Sequence, residues 1–389
     1  MGSIRLFLAF AVLVSHAVAL DIDILPATVA VQSFFIISGF YMSLILNEKY
    51  EGYSLFVFYT NRFLRLFPTY LFVLLLSFTV LCAFDLGIFT RYQKFQQVLT
   101  NGPVMALSYL WVNIAIMGQD LLFLLGVDIA DYSFYWDISG NASVKAWSFL
   151  LVPQAWSLSM ELYFYLLAPF ILRRRVRWVA GLFLASLGVR LFIVSRGPEY
   201  DLFLRRFFPA ELCLFLSGYF SYLLFKHIRH CDRKYFMGLS SWAVLLCVLV
   251  LYDKINANYS LALLAITMTL LMPFIFNLAK DNKVDRLLGN ISFPIYMVHF
   301  LVIEVIDDYI DEYSLWMLLP LILVVALAVY YGIEVPVDHW RQRRVKPCYE
   351  CWNIFHKRVI EFFEQITGEP LPQEVKQIQK FTQTLTAKK

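Results

Sequence analysis

Residues 5–20 read RLFLAFAVLVSHAVAL, an apolar run that carries one imidazole, His16, near its far end. Two readings compete. Arg5, the apolar stretch and then Ala17-Val18-Ala19 fit a secretory signal peptide with an A-x-A cleavage site, and the histidine is then discarded. A retained membrane helix instead holds an ionisable group close to lipid, which is costly and points to chemistry. The choice decides whether a helix bundle begins here or at the next apolar run.

Working outward, composition sets the class. Of 389 residues, 60% are hydrophobic and 16% charged, against about 45–50% and about 25% in soluble domains. Apolar runs fall near 4–20, 27–46, 66–84, 104–125, 157–172, 178–195, 208–225, 238–252, 259–279, 290–306 and 315–333. Many are roughly 17–21 residues long, enough to cross a ~30 Å hydrocarbon core as helix. The sequence therefore predicts an all-α, polytopic membrane helix bundle.

Net charge is +4, and the basic residues sit in short clusters between apolar runs. Clusters so placed report topology and exclude a nucleic-acid partner. Six cysteines show no pairing pattern. Cys348 and Cys351 form one CxxC, but His339 and His356 are poorly spaced to complete a site, so no metal is expected.

Basic connections are RRRVR at 173–177, KHIRHCDRK at 226–234, KDNKVDR at 280–286 and RQRRVK at 341–346, with Lys49, Arg62 and Arg65 in or beside the loop at 47–65. DIDILP at 21–26, DKINAN at 253–258 and DDYIDEY at 307–313 are poor in base or acidic. Placing every basic loop in the cytoplasm works at all crossings but one. Residues 85–103 and 126–155 then both lie outside, so 104–125 does not simply span. Asn113, Gly118, Gln119 and Asp120 interrupt it, and it reads as re-entrant or interfacial. About ten transmembrane helices remain, with both termini cytoplasmic. Residues 1–345 form the membrane-embedded domain and 346–389 a short cytoplasmic tail. In that tail Ile354, Phe355, Val359, Phe362, Phe363 and Ile366 recur at helical spacing, as in an amphipathic helix lying on membrane lipid.

Ionisable groups within spans are functional candidates, and four places hold them. His16 is the first. Glu161, in AWSLSMELYFY, lies about five residues past Trp156, roughly 8 Å of helix rise, a depth matching that of His16. An imidazole and a carboxylate at one depth can form a general base and its orienting partner, or a structural clamp between helices. Arg62 and Arg65, in FYTNRFLRLFPTY, share a helix face. Their forked donors suit phosphate oxygens, although basic residues also anchor helix ends. Ser292, Tyr296 and His299, in LLGNISFPIYMVHFLV, fall at i, i+4 and i+7, and line either a cavity or a helix contact.

Together these stretches resemble the acyltransferase-3 family, integral-membrane O-acyltransferases of bacterial surface glycans. The likeness covers about residues 4–345. It rests on the eleven-residue spacing from Arg5 to His16, FFIISGF at 34–40, Arg62 and Arg65 followed by Pro68, WSLSMELYFY ending the run that places Glu161, SFPIYMVH, and Glu334 with Pro336. Gln32 stands where the family often has an acidic residue, and Ala30 where it has glycine. Phe293 replaces the tyrosine that follows Ser292 in the late motif, and no fused hydrolase-like domain follows.

The resemblance implies transfer of an acyl group, usually acetyl, from cytoplasmic acyl-CoA to a hydroxyl of an extracytoplasmic glycan or lipid-linked saccharide. Acetyl-CoA is then a co-substrate and no cofactor is resident. His16 and Glu161 are implied as catalytic, the Arg62, Arg65, Ser292, Tyr296 and His299 set as acyl-CoA-binding, and Gln32, Ser38 and Trp156 as facing the acceptor. It also favours retention of 4–20 as a helix, in a bacterial cytoplasmic (inner) membrane. The rival is a proton-coupled transporter or flippase of a lipid-linked sugar, which uses intramembrane His and Glu as relays. The absence of a visible internal repeat weighs against it.

Overall fold

Helices occupy all ten expected spanning positions in the computed structural model, which describes residues 1–17, 24–50, 54–83, 100, 102–230, 233–255, 257–310 and 312–343. They are α1 (Gly2–His16), α2 (Ala27–Leu44), α3 (Leu55–Ala83), α6 (Trp156–Ile171), α7 (Val176–Val194), α9 (Phe208–Ile228), α10 (Lys234–Val250), α11 (Ala257–Ala279), α12 (Lys283–Tyr309) and α13 (Leu315–Val329). Between α3 and α6 lie α4 (Pro103–Ala115) and α5 (Gln119–Leu122), and α8 (Asp201–Arg206) precedes α9. Among the described residues, seven helices are long and apolar enough to cross a membrane by length and composition. The remaining three of the ten, α1, α6 and α10, have 15, 16 and 17 residues.

The segment at 104–125 breaks where its polar residues suggested. α4 ends at Ala115, Ile116 and Gly118 take positive φ (67° and 93°), and α5 follows. A feature absent from the sequence reading comes next. Strands β1 (Leu125–Asp128) and β2 (Ser133–Trp136) pair antiparallel, the only sheet among the described residues. We call this the hairpin end of the bundle, and the opposite end, with Arg62 and Arg65, the arginine end.

α1 sits in the core, with Leu8, Ala9 and Ala11 fully buried. Two helix crossings rely on glycine. A Cβ on Gly39 of α2 would lie 1.8 Å from the Phe215 carbonyl oxygen of α9, and one on Gly218 of α9 2.1 Å from that of Ile36. Backbones approach this closely only without side chains, as small residues allow in membrane bundles. Phe215 then stacks between Phe35 and Phe164, at 4.6 and 4.4 Å. Large apolar side chains are exposed on the outside of the bundle, as on α4, where Val104, Leu107 and Trp111 are exposed.

α13 runs into a wide π turn, Tyr330–Glu334. Such turns re-aim side chains and recur at functional sites; here the turn delivers Glu334. Residues Met1–Pro336 form one compact unit and Val337–Lys389 a second. In the second, Arg341 pairs with Asp338. The amphipathic run at 354–366 and the Cys348/Cys351 pair lie outside the described residues.

Candidate active site

His16 is the last residue of α1, not four residues inside the helix end as its apolar run suggested. Its Nδ1 lies 2.7 Å from the Val12 carbonyl oxygen. A carbonyl only accepts, so Nδ1 carries the hydrogen and the basic lone pair is left on Nε2. Across from it stands His299 of α12, wholly buried, its ring centroid 5.2 Å from that of His16. His299 repeats the arrangement: Nδ1 is 2.7 Å from the Tyr296 carbonyl oxygen, and Nε2 has no hydrogen-bond partner. Two imidazoles from sequence-distant helices thus present basic nitrogens in one place.

From His299 a polar column runs toward the arginine end. The Tyr296 ring is 5.7 Å from that of His299. Its hydroxyl meets Ser157 Oγ at 2.7 Å and donates to the Gln154 carbonyl at 2.9 Å. One turn along α6 from Ser157 is Glu161, whose Oε1 accepts from Ser38 Oγ at 2.6 Å and Tyr165 Oη at 2.5 Å. The Arg62 guanidinium lies 5.9 Å from the Tyr165 ring centroid, and its Nε is buried without a partner. Arg65 donates to Glu334 Oε2 at 3.0 Å, and Thr69 donates to Oε1 at 3.4 Å. Arg5 lies within electrostatic reach of Arg65, Glu161 and Glu334.

The expected pairing of His16 with Glu161 is not what the structure brings together. No hydrogen bond or ion pair joins them among the described residues; Val12 fixes the imidazole, and Glu161 belongs to the layer of Ser38 and Tyr165. The physical reason lies at the start of α6. Trp156 is not at a surface: it is buried beneath Phe123, 6.2 Å between centroids. Asp120 reaches past it to accept from Ser159 at 2.6 Å and Tyr163 at 3.1 Å. The chain from α5 to the hairpin caps α6, so depth counted from Trp156 came out too shallow.

Other expected residues divide similarly. Ser38, expected beside the acceptor, lies eleven residues (~16 Å of rise) into α2 on Glu161. Ser292 is buried and returns its hydroxyl to the Gly289 carbonyl at 2.8 Å, a bond within its own helix. Gln32 donates to Glu211 Oε1 at 2.8 Å, an oxygen that also accepts from Arg190 Nη1 at 2.8 Å. The paired arginines differ: Arg65 is engaged with Glu334, while Arg62 keeps a free Nε. Sequence reasoning missed Ser157, the Val12 carbonyl and Arg206, which stacks on Trp156 at 3.4 Å. The signal for Arg206 was an arginine pair in a connection that the charge rule places outside.

The many-helix bundle, with His16 and the buried His299 together and a cationic layer at one end, is that of a multi-pass membrane protein. The family described as acyltransferase domain matches residues 3–335, nearly the whole chain. The chain belongs to that family and is a membrane acyltransferase. No curated protein and no solved structure gives a significant match.

Proposed function

We propose that the protein moves an acyl group, acetyl first among the options, from cytoplasmic acyl-CoA to a hydroxyl of an extracytoplasmic glycan such as O-antigen, exopolysaccharide or another surface saccharide. The observation that carries this reading is the His16–His299 pair, with both Nδ1 atoms tied to carbonyls and both Nε2 atoms left basic. In this reading the arginine end, with its basic connections and both termini, faces the cytoplasm, and the hairpin end faces outward from a bacterial inner membrane. The positive-inside bias supports that orientation.

In the same reading Arg62, whose Nε is unpartnered, meets CoA phosphate oxygens, and Arg65, braced by Glu334, adds a second cation. Glu161, with Ser38 and Tyr165, holds the layer between those arginines and the histidines. The pantetheine arm runs past Tyr296 and brings the thioester to the histidine pair. His16 Nε2 takes the proton of the acceptor hydroxyl as its oxygen attacks the thioester carbonyl. The C–S bond breaks, the acyl group stays on the acceptor oxygen, and the departing CoA sulfur takes the proton from the imidazolium. General-base help of this type contributes ~10²–10⁴-fold.

The test is made in cells that display the glycan. With His16→Gln expressed to the level of the native chain, alkali-labile acyl groups on surface glycan fall to background. Undiminished acylation would contradict the proposal.

A further inference from the structure

Arg206 ends the short helix α8 and is 7% exposed. Its guanidinium carbon lies 3.4 Å from the Trp156 ring centroid and 4.3 Å from that of Phe123. Stacking recovers part of the cost of burying a cation, but it does not satisfy the planar donors. Nε and Nη1 are buried without a hydrogen-bond partner. Burial pushes the guanidinium pKa down to about 9, so it remains charged at neutral pH.

Neither acid within electrostatic reach bonds Arg206, although Glu211 Oε2 is itself buried without a partner. Asp120 accepts from Ser159 and Tyr163, and Glu211 from Gln32 and Arg190. The adjacent Arg205 shows what a satisfied arginine looks like here, with Asp201 at 2.5 Å and Thr28 Oγ1 at 2.8 Å. An unpaired buried cation is strongly destabilising unless an anion completes it. A guanidinium over the Trp156 ring with Phe123 beside it keeps unsatisfied donors, and such donors bind a carboxylate or phosphate through charge-assisted, often paired, bonds.

The position separates this group from the donor arginines. Trp156 and Tyr165, on which Arg206 and Arg62 lie, are nine residues apart on α6, ~13 Å of rise. Tyr296, the neighbour of His299, is within electrostatic reach of Arg206. The cation therefore flanks the histidine pair on the hairpin side.

We propose that Arg206, clamped by Trp156 and Phe123, recognises an anionic group, a carboxylate or a phosphate, on the acyl acceptor. The acceptor assignment rests on the acyl-transfer reading; the anion site does not.

The test uses the full chain in detergent or nanodiscs and follows thermal unfolding with glucuronate, glucose 1-phosphate and glucose as probes. A saturable rise in Tm with one or both anions and none with glucose is expected, and the responding probe separates carboxylate from phosphate. Arg206→Lys, which keeps charge but loses the fork, weakens that response about tenfold or more. Equal response to glucose, no response to either anion, or a response undiminished in the lysine variant overturns the proposal. If Arg206→Lys does not fold, the native chain with the three probes still decides. CoA binding on the same preparation tests the acyl-transfer reading separately: CoA binding without an anion response sinks the Arg206 site alone. An anion response without CoA binding removes the acceptor assignment.

Discussion

The rings of His16 and His299 lie 5.2 Å apart, and each donates its Nδ1 hydrogen to a carbonyl of its own helix, Val12 and Tyr296 respectively. A backbone carbonyl has no charge to lose and no rotamer to change. The tautomer of each ring is therefore set by helix geometry, and the basic Nε2 positions are built in before any substrate arrives.

His299 then contributes beyond packing. His299→Phe, close in ring size but without nitrogen, is expected to lower kcat by about tenfold or more and to leave CoA affinity unchanged. Steady-state acyl transfer with a CoA titration checks this. A pure packing role would leave kcat intact once the folded fraction is matched.

The two arginines are not equivalent. Arg62→Ala is expected to weaken CoA binding by about 10- to 100-fold, the value of one or two charge-assisted hydrogen bonds. Arg65→Ala acts largely through Glu334, which is 6% exposed and loses its cation. A double-mutant cycle on thermal unfolding is expected to give about 1–3 kcal/mol of coupling for Arg65 with Glu334 and under about 0.5 kcal/mol for Arg62 with Glu334.

The α2–α9 crossing is expected to be intolerant of a single methyl. Gly39→Ala or Gly218→Ala sets a Cβ against backbone oxygen and costs about 1–3 kcal/mol. Gly188→Ala on α7 meets nothing within 4 Å and is neutral or gains up to about 1 kcal/mol of helix propensity. Unfolding midpoints of the three variants in one detergent test the contrast.

The bundle was legible because hydrophobic run length and loop charge are local properties, and every expected spanning position is helical. The order of residues along the site was only partly so. The ring of His299 lies beside those of His16 and Tyr296, a meeting that the stripe on α12 did not specify, and Arg62 and Arg65 occupy one end together. Glu161 and Ser38 were misplaced in depth because the α5–hairpin segment folds back over Trp156 and sinks the start of α6 below the surface. That fold-back depends on Asp120 reaching Ser159 and Tyr163, about forty residues away in sequence, and no periodicity encodes it. The Val12 carbonyl was illegible for another reason: a backbone oxygen leaves no mark in the residue pattern.

The central claim is that His16 is the base of an acyl transfer from CoA. Its most direct test is single-turnover transfer from radiolabelled acetyl-CoA to glycan, with native and His16→Gln protein in proteoliposomes, alongside CoA binding. The account predicts a transfer rate lower by ~10²–10⁴-fold with the CoA dissociation constant unchanged. Transfer at the native rate by the His16→Gln protein would contradict it.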